Sequence, residues 1–133
     1  MSFRLSIEVR YAETDAMGVV HHASYLVWLE AARVAFMNQL GYPYTRVEAE
    51  GLALVVSEVH LTYRSPARFG DTVEVETWLE EITARQAVFA YRVWRGEQLL
   101  AQGQTRHLAI NQQGRATRVP AELLAALQAS RDI

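Results

Sequence analysis

Ala23-Ser-Tyr-Leu-Val-Trp-Leu-Glu-Ala-Ala-Arg-Val-Ala-Phe-Met-Asn-Gln-Leu40 is the stretch on which the fold turns. Tyr25, Leu29, Ala32 and Phe36 recur at i, i+4, i+7 and i+11, the spacing of one face of an α-helix, and Leu26, Ala35 and Leu40 widen the stripe. Only Glu30, Arg33, Asn38 and Gln39 interrupt it, so the helix is expected to be buried on most sides. Gly41 and then Pro43 supply the stop. Outside this stretch the period changes to two. Phe3 to Arg10 alternates Phe3, Leu5, Ile7 and Val9 with polar residues and reads as a strand, whereas Tyr11 to His22 keeps neither period and reads as a loop. After a connection over Tyr42 to Gly51, four strands follow: Leu52–Tyr63, Thr72–Ile82, Gln86–Trp94 and Leu99–Asn111. Ser65-Pro66, Gly70-Asp71, Arg95-Gly96-Glu97 and Gln113-Gly114 punctuate them, and a short helix starts at Pro120. A strand, a long helix and four successive strands predict an α+β fold, an antiparallel sheet packed on one helix.

The 133 residues are expected to form a single domain over 1–133, long enough to bury a real core. Half the residues are hydrophobic and 21% are charged, which excludes wholesale disorder. The net charge is −2, so no basic field exists for gripping nucleic acid. All 13 basic residues are Arg, and an anionic ligand must meet guanidinium, backbone N–H or His. Without cysteine there is no disulfide, zinc–thiolate site or Cys nucleophile. The first residues lack the pattern of a signal peptide, and no uncharged run approaches a membrane span. A soluble, cytoplasmic protein is expected.

Chemistry concentrates between Tyr11 and Arg33. Asp15 lies in the loop before the helix, and His22 lies where the helix should begin. A helix start offers unpaired N–H groups and partial positive charge. These would favour an ionised Asp15 and receive the oxyanion formed when a carbonyl is attacked. Gly18 lets the backbone approach a substrate, with Val19 beside it. Carboxylate, His and backbone donors make a workable set for hydrolysing an activated acyl group. The same Asp15 could instead shape a turn or cap the helix, as could Thr14, and Tyr11 reads as a rim aromatic. His21 and His22 are adjacent and converge poorly on a metal, while His60 and His107 fall in strands, so no metal site is expected. Glu30 and Arg33 stand at i, i+3 and could pair, although a carboxylate on a buried helix also suits a substrate site. No GxGxxG, P-loop or GxSxG elbow is present. Trp28, Trp78 and Trp94 suit the core or a subunit contact.

Tyr11-Ala-Glu-Thr-Asp15-Ala-Met-Gly18-Val-Val-His-His22-Ala-Ser-Tyr25-Leu, with Glu30-Ala-Ala-Arg33 after it, resembles the opening of the hotdog-fold acyl-CoA thioesterases. The likeness is closest to the 4-hydroxybenzoyl-CoA thioesterase family and its YbgC-like branch. Arg64-Ser-Pro66-Ala-Arg68-Phe-Gly-Asp71 resembles the family's link between sheet strands. The resemblance implies a long central helix wrapped by a curved antiparallel sheet. It implies that Asp15 is the catalytic carboxylate, nucleophile or general base toward water. It places His22 where a backbone N–H polarises the thioester carbonyl, in a branch where a His is implicated at that position, and matches Tyr11 to a supporting Tyr. It implies no cofactor, an active site at a subunit interface, and a homodimer that often associates into a homotetramer. Such enzymes hold the CoA nucleotide with basic residues, for which Arg64, Arg68 and Arg106 are candidates. His21 departs from the branch, which usually carries Tyr or another aromatic there.

The expected activity is hydrolysis of acyl-CoA to free acid and CoA, with Asp15, His22 and Tyr11 catalytic and Gly18, Val19, Glu30, Arg64 and Arg68 on the substrate. Two alternatives stay open: a hotdog-fold hydratase or dehydratase using His22 and Glu30, and a non-catalytic module that binds acyl thioesters. An exposed sheet edge and an apolar surface left by one sheet on one helix also point to a partner subunit.

Overall fold

The computed structural model describes residues 1–132. Its elements are β1 (Phe3–Glu8), α1 (Ser24–Gln39), α2 (Tyr44–Ala49), β2 (Ala53–Tyr63), β3 (Thr72–Ile82), β4 (Gln86–Arg95), β5 (Gln98–Ile110) and α3 (Ala121–Arg131). The five strands form one antiparallel sheet in the order β1-β3-β4-β5-β2, wrapped about α1. Expected strand boundaries hold to within two residues, because each alternation begins and ends at a turn signal. Thr72–Ile82 shows it most plainly: Val73, Val75, Thr77 and Leu79 are buried, and the intervening residues are not.

Two expectations need correction. The segment Tyr42 to Gly51 contains the short helix α2, too brief to show a helical period. The long helix is not buried on most sides. Tyr25, Trp28, Leu29, Ala32, Phe36 and Met37 face the sheet, while Leu26, Val27 and Val34 are exposed. A single sheet covers one side of a helix, so within one chain the stripe widens toward Trp28 and Met37 and not toward Leu26.

Curvature comes from local irregularities in the ladder. The pairing register shifts between Val56 and Glu58 on β2 and between Leu79 and Glu81 on β3, each shift bending and twisting its strand. At Gly103 on β5 the backbone of β2 comes so close that a Cβ would run into the His60 carbonyl and lie 2.8 Å from Leu61 Cα. Only glycine permits that approach. On the concave side Phe36 meets Phe3 and Phe89 edge to face, and α3 adds Leu123 and Leu127 to the same core. One edge of β2 bonds to β5 and the other is unpaired among the described residues.

Candidate active site

The loop from Tyr11 to His22 is more ordered than its composition suggests. It opens with a 3-10 turn over Tyr11–Glu13 and closes on itself through a bridge between Thr14 and Val20. Its anchor is Glu13, which the sequence analysis did not single out. The Glu13 carboxylate is buried and accepts from the Arg10 backbone N–H at 2.8 Å, from Trp28 Nε1 at 2.8 Å and from the Arg10 guanidinium at 3.3 Å. Burial pushes its pKa up, but these donors and the charge of Arg10 outweigh burial and hold it below the ordinary 4.5. The Glu13 carbonyl also takes the His21 N–H at 2.8 Å, tying the far end of the loop to its start.

Asp15 lies at the tip and shapes a turn, one of the readings the sequence left open to it. Its Oδ1 accepts the N–H of Met17 at 2.8 Å and of Val19 at 3.4 Å, and its backbone N–H bonds to Val19 O at 2.8 Å, forming a tight turn. That turn needs Gly18 at φ +79°, where a side chain would be strained. Among the described residues Oδ2 has no partner, so one oxygen builds the turn and the other is left over. Asp15 shares a cavity of about 370 Å³ with Val19, Val20, His22, Tyr25, Tyr63, Arg64, Ser65 and Pro66. Among the described residues no acceptor takes the His22 backbone N–H.

Tyr63 is the second group that sequence reasoning missed. From the end of β2 its hydroxyl donates to the His22 carbonyl at 2.8 Å, and its ring meets those of His22 and Tyr25 edge to face. Tyr25 in turn accepts the Ala67 N–H at 3.3 Å, locking helix start to strand link. That link is held from the other side by Asp71. The Asp71 carboxyl is pushed up by burial and drawn below its usual range by the Arg68 N–H and the Arg95 guanidinium, 2.7 Å away. No local pattern announces Tyr63 because its partner lies 41 residues away.

The other expected site residues are placed as follows. Arg64 lines the cavity, and Arg68 flanks it through the bridge between Val19 and Arg68. Neither guanidinium forms an ion pair among the described residues. Arg106 is engaged by Glu58 and Gln86. Tyr11 is exposed, outside the cavity, with its ring edge against Phe69. Glu30 does not pair with Arg33. Both line a second cavity of about 270 Å³ between α1 and β2, with Val34, Met37, Tyr44, Leu54, Val55, Val56, Phe89 and His107. Its wall carries a buried chain in which Arg33 donates to Tyr91 at 3.2 Å, Tyr91 bonds to Thr105 at 2.6 Å, Thr105 to His107 Nε2 at 2.8 Å, and His107 Nδ1 to the Leu54 carbonyl at 3.2 Å. A guanidinium can only donate and a carbonyl only accept, which fixes one direction along the chain and a neutral His107. Burial, followed by the nearby Arg33 charge, drives the His107 pKa down to about 4. Among the described residues no three His, Asp or Glu side chains converge as metal ligands, and no helix is long and apolar enough to cross a membrane.

A long helix wrapped by a five-stranded antiparallel sheet, with a turn-held carboxylate lining a cavity at the helix start, is the arrangement of a hotdog fold. The family comparison agrees: residues 9–127 match the model of the thioesterase-like superfamily, and the chain belongs to that superfamily. YneP of Bacillus subtilis is 42% identical over 88 residues, 66% of this chain and 64% of that one. The acyl-CoA thioester hydrolase YbgC of Escherichia coli is 35% identical over 98 residues, 74% of this chain and 73% of that one. The crystal structure of DHNA-CoA thioesterase from Staphylococcus aureus superposes with a TM-score of 0.94 at 27% identity, covering 98% of this chain and 91% of that chain.

Proposed function

We propose that the protein hydrolyses acyl-CoA thioesters to free acid and CoA, with Asp15 and the start of α1 as the reacting centre. The observation that carries this is that one cavity is lined by both Asp15 and His22, whose carboxylate Oδ2 and backbone N–H respectively have no partner among the described residues. The thioester carbonyl oxygen rests against the His22 N–H, where the helix start stabilises developing negative charge. Asp15 attacks the carbonyl carbon and expels CoA thiolate, leaving a mixed anhydride for water to open, or it takes a proton from the water that attacks. Arg64 and Arg68, which form no ion pair among the described residues, are the basic side chains this reading gives to the CoA phosphates. Tyr11 borders the loop as a supporting residue.

A hydratase would need His22 and Glu30 on one substrate. In this chain they line different cavities, so that reading is not carried here. Glu30 faces an apolar cavity suited to part of an acyl group. The unpaired edge of β2 and the apolar residues beside it support a homodimer that closes the site, and pairs of dimers would form the homotetramer.

The test is release of free thiol from short, long and aromatic acyl-CoAs. Wild type is expected to turn over at least one class, and Asp15→Asn to fall by at least about 100-fold with folding unchanged. No thiol from any substrate overturns the activity, and equal rates in both proteins remove Asp15 from its centre.

A further inference from the structure

We propose that His21 is a positioning residue of this site: its ring caps the start of α1 and stacks on His22, fixing which backbone donors remain for the substrate. The inference rests on the thioesterase reading of the Asp15 cavity.

His21 is exposed and does not line that cavity, and by position alone it would pass for a surface residue. Its hydrogen bonds say otherwise. Nδ1 accepts the Ala23 N–H at 3.1 Å, the carbonyl accepts the Ser24 N–H at 2.9 Å, and the His21 N–H donates to Glu13 O at 2.8 Å. The imidazole lies over that of His22, centroids 4.2 Å apart and planes 30° apart. Backbone and side chain thus serve one end of one helix.

That end has no ordinary cap. Ala23 occupies the N-cap position and offers no side-chain acceptor, although the first N–H groups of a helix need one. His21 supplies it from two residues upstream. Because Nδ1 accepts, the neutral ring carries its proton on Nε2. With the Ala23 N–H taken by the ring and the Ser24 N–H by the His21 carbonyl, the donors at this helix start without an acceptor among the described residues are the His22 N–H, just before the helix, and the buried Tyr25 N–H inside its first turn. His22 is held on two sides, by the face of His21 and by Tyr63, whose hydroxyl bonds to the His22 carbonyl. Loss of the His21 ring frees the Ala23 N–H, beside that of His22, and one side of that clamp. The cost falls on the alignment of the His22 N–H with the developing oxyanion, an interaction that matters most in the transition state.

Three substitutions separate the parts. His21→Asn keeps an acceptor close to the position of Nδ1, His21→Phe keeps a stacking ring without an acceptor, and His21→Ala keeps neither. Two measurements are made on each folded protein: kcat and KM for the best acyl-CoA substrate, and hydrogen exchange of the Ala23 amide by NMR. The expected result is a protected Ala23 amide in wild type and His21→Asn, and fast exchange in the other two. Alongside it, kcat falls about 10-fold in His21→Phe and His21→Ala at little-changed KM, and His21→Asn recovers most of the rate. Unprotected Ala23 in wild type overturns the cap. Full kcat in His21→Ala, or a loss in His21→Asn as deep as in His21→Ala, overturns the positioning role. If wild type releases no thiol, the thioesterase reading fails and this role falls with it, but a protected Ala23 amide would show that the cap itself is real.

Discussion

The Glu13 carboxylate is wedged between the Tyr11–His22 loop and α1, and three donors converge on it from Arg10 and Trp28. Glu13→Ala leaves the buried indole N–H and the Arg10 N–H without an acceptor, at about 1–3 kcal/mol for each orphan. Wild type should exceed Glu13→Ala by about 3 kcal/mol in urea unfolding at pH 7. The folded pKa lies below the ordinary 4.5, so the part of this advantage that belongs to the ionised carboxylate is fully present above about pH 4.5 and is lost as pH falls through the folded value. The gap between the two proteins should therefore narrow in acid. Asp15 and His22 were legible in the sequence because loop, spacing and helix start lie within one short stretch. Glu13, Tyr25 and Tyr63 were not, since each acts through a partner brought near only by folding.

Among the elements, the chain Arg33–Tyr91–Thr105–His107–Leu54 joins α1, β4, β5 and β2 through side chains. Its single direction holds while His107 is neutral. Protonated, both His107 nitrogens are donors, and Thr105 must reverse and break the order behind it. A folded pKa of about 4 against an ordinary 6.5 means that the unfolded chain binds the proton first as pH falls. Stability is then full above about pH 6.5 and declines toward pH 4, by about 3 kcal/mol over the window. Denaturant midpoints at pH 7, 5.5 and 4 should show this slope in wild type. His107→Gln should be less stable at pH 7 but flatter across the window. At this scale the sequence was read well for strands, whose alternation survives in the burial of β3. It was read poorly for the helix, where an apolar residue such as Leu26 counts the same whether it meets a sheet or solvent.

For the whole molecule, the telling feature is the apolar surface that one chain leaves uncovered. Val55, Val56, Val59 and Tyr63 on the open strand β2 are 36–47% exposed, and Leu26, Val27 and Val34 on α1 are 38–58% exposed. An unpaired strand edge beside apolar side chains is a template for a second copy. The proposed homodimer should sediment with at least twice the 15.1 kDa of one chain. Val59→Asp should shift that equilibrium toward monomer and lower thiol release with it. A wild-type protein that sediments as a monomer at micromolar concentration would overturn the dimer.

The sequence by itself determined the order of the strands and of the long and C-terminal helices, their boundaries to within two residues and the loop that carries Asp15 and His22, because period, turn residues and local motifs are properties of neighbours along the chain. The tertiary structure alone decided which face of α1 is covered, that Glu30 and Asp15 line separate cavities, that Glu13 anchors the loop through Trp28, and that Tyr63 reaches His22. Those depend on distances between segments far apart in sequence, and such distances are set by how strands curve and cross, as β2 does over Gly103, and not by the residues on either side.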